Sequence, residues 1–297
     1  MKSIVTIIIL GLLSVYGFTQ DGVKPIIDVH VHGFNEQTYK VIEGSPNSYE
    51  AFKKEMRNVF KKYNVVYAVK SGGEFDEDLE KIMLKGYESN NYPKFDTIQF
   101  KQLIEQKKIQ VWGEFMPMFN GITLADEEFD PYLKICEREG IPIALHTGRG
   151  PTNIQMGYPK FRLALGDPLL IEPVLIKYPK LKIYLMHSGI PFYENTLALM
   201  DQYPQVYTGL GWVLFSYLKT TQHQVEDFLK KVKEYDMVDR VMFGSDCMYW
   251  PDELENSIKR LEGFDFLDEQ DKRKMFYENA VRFFELDFLN NKLQKNR

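Results

Sequence analysis

Residues 26–36 read IIDVHVHGFNE. The first seven form a β-rich apolar run, and His30 and His32 stand two apart on it, so both rings project from the same face of a strand. An open doubly wound sheet would place a G-x-G-x-x-G turn after such a first strand. Here HVHGFNE stands in that place, so the stretch points to a closed (β/α)₈ barrel, an α/β fold of one domain.

Outward from this stretch, short β-rich runs alternate with helical patterns, as expected for parallel strands joined by crossover helices. Eight strand candidates follow: Ile26–His32, Val65–Ser71, Lys81–Tyr87, Gln110–Met116, Ile141–Thr147, Lys182–Ser188, Val206–Gly211 and Arg240–Asp246. Between them, Phe52, Met56, Val59, Phe60 and Tyr63 repeat at helical spacing, with Asn47 and Glu50 placed like a capping box. Val225, Phe228, Leu229 and Val232 repeat the arrangement. A closing helix is expected with Asp268 as N-cap and Met275, Phe276, Ala280 and Phe283 on one stripe, sealing the barrel. The stretch 148–167, rich in Gly and Pro, reads as an extended loop after the fifth strand.

The 297 residues exceed the usual domain size, yet α/β barrels run to about 250 residues or more as single domains. No internal repeat or Gly/Ser linker marks a boundary. With 44% hydrophobic and 27% charged residues the composition is that of an ordinary globular protein. The net charge of −5 argues against a basic face for nucleic acid. Lys2 followed by an apolar run from Ile4 to Phe18 reads as a signal peptide over residues 1–20, leaving a barrel domain over 21–297. The run is short for a membrane span of about 20 residues. The mature protein is therefore expected to be exported, periplasmic or secreted, with no membrane attachment. Cys136 and Cys247, the only two cysteines, read as separate buried thiols.

Four of the five histidines, His30, His32, His146 and His187, end predicted strands, and Asp246 ends the eighth. In a barrel these strand ends meet on one rim, so residues remote in sequence can share one ion. Imidazole with carboxylate suits zinc, with manganese, iron or nickel as further candidates, better than calcium. Each residue alone has a plainer reading, such as a hydrogen-bonded strand histidine or a helix cap. Their common placement favours a metal site. His223 falls in a polar helix start and reads as surface.

The motifs IDVHVH, LHTG, MHSG, FGSD and the closing ENAVRFF, taken in this order, resemble the amidohydrolase superfamily. Within it they are most similar to the amidohydrolase-related (amidohydrolase 2) group, which includes aminocarboxymuconate-semialdehyde decarboxylase-like enzymes. The resemblance covers nearly all of the mature chain. It implies a distorted (β/α)₈ barrel with one or two divalent metals, His30 and His32 on the first metal, His146 and His187 as the fifth- and sixth-strand histidines, and Asp246 as the eighth-strand acid. Glu114, in the fourth strand, sits where binuclear members carry a bridging group. It either bridges two metals or orients a histidine from outside the ligand set. In mononuclear relatives the histidine at the position of His187 is free for catalysis.

Arg149, Arg162 and Lys70 are candidates for gripping an acidic substrate group, or else salt-bridge residues. Trp212, Tyr249 and Trp250 could wall a pocket or simply pack the barrel top. Asn279 and Arg282 lie on a predicted helix and read as structural. The expected activity is hydrolysis of an ester, lactone, amide or related bond of a small substrate, with Asp246 and His187 moving protons. Decarboxylation or hydration is the alternative, and a non-catalytic metal- or ligand-binding protein a remote one. A homo-oligomer is compatible with the sequence.

Overall fold

The computed structural model describes residues 23–89 and 96–289. The expected signal peptide, residues 1–20, therefore lies outside the described residues. Eight parallel strands follow one another around the sheet in chain order. They are β1 (Ile26–His32), β2 (Val65–Ser71), β3 (Met83–Ser89), β4 (Val111–Phe115), β5 (Ile143–His146), β6 (Ile183–Met186), β7 (Val206–Gly209) and β8 (Val241–Met242). Every neighbouring pair from β1 to β8 is parallel, which requires the crossover connections that the helical patterns announced.

Closure is made by backbone bonds between β1 and the segment after β8. Val29 donates to Phe243 (2.9 Å), Asp246 to the carbonyl of His30 (2.7 Å), and His32 to Cys247 (2.9 Å). β8 itself is only two residues long where seven were expected, and beyond it residues 243–247 bond to β1 while Ser245 also accepts from the backbone of Trp212 (3.1 Å). The expected third strand is shifted by two residues, because Asp76 caps the short helix Glu77–Glu80 and delays the strand to Met83.

Helices cover the outer face, burying one stripe each. The helix Tyr49–Lys62 buries Phe52, Met56, Val59 and Phe60, and Lys219–Glu234 buries Val225, Phe228, Leu229 and Val232. The cap of the first is Ser48, whose side chain accepts from the backbone N–H of Ala51, and not the expected Asn47. At the other end of the chain Asp268 does form a capping box, with Asp271.

A second apolar cluster fills the lumen. Ile27, Val29, Val69, Leu84, Val111, Ala144, Tyr184, Met186 and Met242 meet Tyr277, Ala280, Val281, Phe283, Leu286 and Leu289 of the C-terminal segment. That segment closes the N-terminal end of the barrel, but not by a single stripe. A π-helical turn over Lys274–Glu278 changes the helical phase, so Met275 and Phe276 join the outer core while Ala280 and Phe283 face the lumen. Asn279 ties the seal to the last strand by donating to the carbonyls of Val238 (2.8 Å) and Val241 (2.7 Å). Cys136 and Cys247 are both buried and unpaired with each other. No helix of the described residues is long and apolar enough to cross a membrane.

Candidate metal centre

With one end of the lumen sealed by apolar side chains, the opposite end carries the polar ones. His30, His32, Glu114, His146 and His187 are buried there, each under a tenth exposed, around Asp246. Ligand atoms of His30, His32, Glu114 and Asp246 lie within 4.8 Å of one another, and so do those of Glu114, His146 and His187. Glu114 belongs to both groups, one oxygen toward each. Its Oε2 lies 3.4 Å from His30 Nε2 and 3.5 Å from His32 Nε2. Its Oε1 lies 2.6 Å from His146 Nδ1 and 3.1 Å from His187 Nε2.

Backbone carbonyls only accept hydrogen bonds, and this orients two of the rings. His187 Nδ1 lies 2.9 Å from the carbonyl of Gly211, and His146 Nε2 lies 3.0 Å from that of Arg149. The ring protons are drawn to those nitrogens, leaving His187 Nε2 and His146 Nδ1 as lone pairs 3.1 Å apart that face a carboxylate oxygen. On the other side His30 Nε2 and His32 Nε2 are 3.0 Å apart and lie 3.1 and 2.9 Å from Asp246 Oδ1. Acceptors crowded this way require positive charge between them, and the donor set of imidazole nitrogens and carboxylate oxygens fits a divalent transition metal or zinc.

The same demand appears in the titration of the groups. Burial alone would raise the Glu114 carboxyl, but the charge on His30 and hydrogen bonds to His146, His187 and His30 hold it well below the usual carboxylate range. Burial likewise opposes ionisation of Asp246, and the charge on His30 with the bond to His32 outweighs it. For His32 and His187 burial favours the neutral ring, yet their carboxylate neighbours raise both above the ordinary imidazole value. For His30 desolvation wins and its pKa is lowered.

Backbone conformation contributes to the convergence. His187, Trp212 and Asp246 all sit at positive φ, at 60°, 61° and 58°. Non-glycine residues rarely adopt this region, and such conformations concentrate where a side chain must be aimed. Gly211 must lack a side chain, since a Cβ there would lie 2.7 Å from His30 Nδ1.

The remaining candidates divide. Arg149 stands beside the centre, its guanidinium 5.6 Å from the Trp212 ring and its carbonyl on His146. Arg162 is exposed and turned back on its own loop, donating to the carbonyls of Pro159 (2.9 Å) and Phe161 (2.7 Å). Lys70 is buried and ion-paired with Glu80, which also accepts from the backbone of Phe75. Trp250 donates its indole N–H to the carbonyl of Glu43 (2.9 Å), and Tyr249 packs on Phe34 (4.5 Å between ring centroids), so both hold the loop after β1. His223 is exposed.

Two residues passed over in the sequence also belong here. Asp28, buried at the β1 seam, accepts from the backbone of His30 (3.0 Å) and of Ser245 (2.9 Å) and so aligns both ligand-bearing segments. Its place two before His30 was the available signal. Glu88, with Oε2 3.9 Å from His32 Nδ1, ends β3. It fell beyond that strand once the strand was placed two residues early.

The amidohydrolase family profile matches residues 110–286. Among curated proteins, Protein fluG of Emericella nidulans is 27% identical over 111 residues, 37% of this chain. The match spans 12% of that relative's length. Among solved structures, an uncharacterised TIM-barrel protein of Bordetella bronchiseptica is similar with a TM-score of 0.67 and 17% identity, covering 88% of this chain and 99% of the other. A probable 2-pyrone-4,6-dicarboxylic acid hydrolase of Acinetobacter baumannii, with citric acid bound, gives 0.64 and 16% over 88% and 99%. A 5-carboxyvanillate decarboxylase of Novosphingobium aromaticivorans, complexed with manganese, gives 0.57 and 14% over 89% and 96%. At these identities the structural likeness establishes the barrel.

Proposed function

The chain belongs to the amidohydrolase family, and from that premise we propose that it is a metal-dependent hydrolase cleaving an ester, lactone, amide or related bond of a small, acidic substrate. The observation that carries this reading is the division of Glu114 between two ligand groups, which suits a pair of divalent ions, zinc first, bridged by one carboxylate. His30, His32 and Asp246 would hold one ion, and His146 and His187 the other. A metal bound there supplies Lewis acidity, polarising a carbonyl oxygen and lowering the pKa of water.

Asp246 is held ionised by its neighbours and takes the proton of the attacking water at its carboxylate, then returns it to the leaving group. His187, oriented through Nδ1 by the carbonyl of Gly211, would present Nε2 to the second ion, or to a proton in transfer where only one ion is held. Trp212 and Arg149, 5.6 Å apart beside the centre, would limit the access of water to it. Export of the mature protein is supported by the apolar run near the N-terminus, and N-terminal sequencing should find a start between residues 18 and 22.

Decarboxylation is the second reading, supported by the likeness to the manganese-containing decarboxylase. Turnover of a panel of esters, lactones and amides in water labelled with heavy oxygen separates the two. Hydrolysis puts label into the product acid, whereas release of carbon dioxide with no hydrolysis of any panel member overturns the primary reading. Metal titration addresses the bridge: about two ions per chain are expected, and Glu114→Gln should lose one together with most of the turnover. Saturation at one ion, unchanged in Glu114→Gln, removes the bridge.

A further inference from the structure

Each histidine of the centre turns one ring nitrogen to the ligand group and one away, and the surroundings of the second nitrogen differ among the four. His187 Nδ1 and His146 Nε2 meet the carbonyls of Gly211 and Arg149. His30 Nδ1 is buried against the backbone of Gly211, with no hydrogen-bond partner among the described residues. His32 turns Nε2 inward, 2.9 Å from Asp246 Oδ1, and its Nδ1 has one acidic neighbour, Glu88, whose Oε2 lies 3.9 Å away.

Glu88 is placed there by the backbone. His32 pairs with Ser71 and Ser71 with Gly86, so the ends of β1, β2 and β3 lie side by side, and Glu88 follows Gly86 by two residues on β3. Its side chain lies across Gly72, where φ is 68° and an added Cβ would overlap Oε2 and come within 3.1 Å of the Glu88 Cβ. Among the described residues the Glu88 carboxylate has no hydrogen bond and no lysine or arginine partner. An ion on Nε2 leaves the proton of a neutral His32 ring on Nδ1, and a metal-bound imidazole keeps its orientation by donating that proton to an acceptor. A carboxylate accepts more strongly than the backbone carbonyls that serve His146 and His187. The separation of 3.9 Å exceeds a hydrogen bond, and a small rotation of the exposed Glu88 side chain or one bridging water closes it.

We propose that Glu88 is a positioning residue for the metal centre, accepting the Nδ1 proton of His32, directly or through one water, and so fixing the ring with Nε2 toward the ion. Of the two histidines assigned to the first ion, His32 is then the one steered by a carboxylate, since the backbone of Gly211 occupies that side of His30. The proposal rests on the metal-centre reading above and applies to hydrolysis and decarboxylation alike.

Zinc affinity, measured by competition with a chelator, should weaken about 10- to 100-fold in Glu88→Ala. Glu88→Gln is near-isosteric and keeps an acceptor oxygen without the charge, so it should lose less than the alanine variant. Equal losses in the two would mean that only the field of the carboxylate matters, and would overturn the positioning role. The ring itself supplies a second readout, the Nδ1 proton of His32 in zinc-loaded protein labelled with ¹⁵N-histidine. Its exchange with water should quicken about tenfold or more in Glu88→Ala, as expected for the loss of a hydrogen bond to a charged group. An Nδ1 proton unchanged in shift and exchange in that variant overturns the proposal, whatever the zinc affinity does. A wild type that takes up no zinc overturns the centre and this role together. Failure of all panel substrates to turn over would instead strike the hydrolase reading and leave both readouts in place.

Discussion

The two ends of the barrel are built from opposite materials. At one, Tyr277, Ala280, Val281, Phe283, Leu286 and Leu289 plug the lumen with apolar side chains in close contact. At the other, four histidines and two carboxylates are gathered with nitrogen and oxygen atoms 2.6 to 3.9 Å apart. The plug gains stability from each contact, through removal of apolar area from water. The ligand cluster does the reverse, since gathering acceptors costs free energy that a bound cation would offset. The plug and the outer helices hold the strands that carry it. The contrast shows a fold whose stability comes from one end and whose chemistry sits at the other.

Substitutions at the two ends should therefore fail in different ways. The largest effect belongs to His30→Ala, His32→Ala, which should release metal and lower turnover by about a thousandfold or more, beyond the 10- to 100-fold typical of residues that only support ligands. The chain should remain folded, so elemental analysis showing undiminished metal would contradict the ligand assignment. Next comes Phe283→Ala at the plug, expected to destabilise the protein by about 3–5 kcal/mol in denaturant titration. Metal content and turnover per folded molecule should be retained. A selective loss of metal in that variant would erase the distinction between the ends.

A smaller effect concerns Glu253, which borders the polar end and accepts from the backbone of Met248 (3.4 Å). Burial, followed by the nearby charges of Asp246 and Asp252, raises its carboxyl from 4.5 to about 8. The folded state then keeps a proton that the unfolded chain releases, so stability falls as pH rises from about 4.5 to about 8 and levels off above. Glu253→Gln should remove this component, and its Tm advantage over wild type should grow with pH across that window. An advantage independent of pH would mean the carboxyl is ionised throughout. At the bottom of the scale, His223→Ala at the exposed helix face should change stability by less than about 0.5 kcal/mol and leave metal content untouched.

The order of strands and helices was legible because apolar periodicity is a local signal. So were His30 and His32 as a pair, whose common face follows from the two-residue repeat of a strand, and the clustering of His146, His187 and Asp246 at strand ends. Where local chemistry competed, the reading slipped. Asp76 capped a short helix just before what read as the third strand and delayed that strand by two residues, hiding Glu88, and the π turn at Lys274–Glu278 split a stripe that looked continuous.

What the sequence alone determined, then, is which residues can bind a metal and that a barrel would bring them to one rim. Only the tertiary structure decided how Glu114 is shared between the two histidine groups, because that depends on the separation of β1, β4, β5 and β6 across the lumen. It also decided that Lys70 is held by Glu80 while Arg149 keeps no acidic partner among the described residues. A side chain's type is written in the chain, but whether its charge is already neutralised depends on which neighbours the fold brings within a few ångströms.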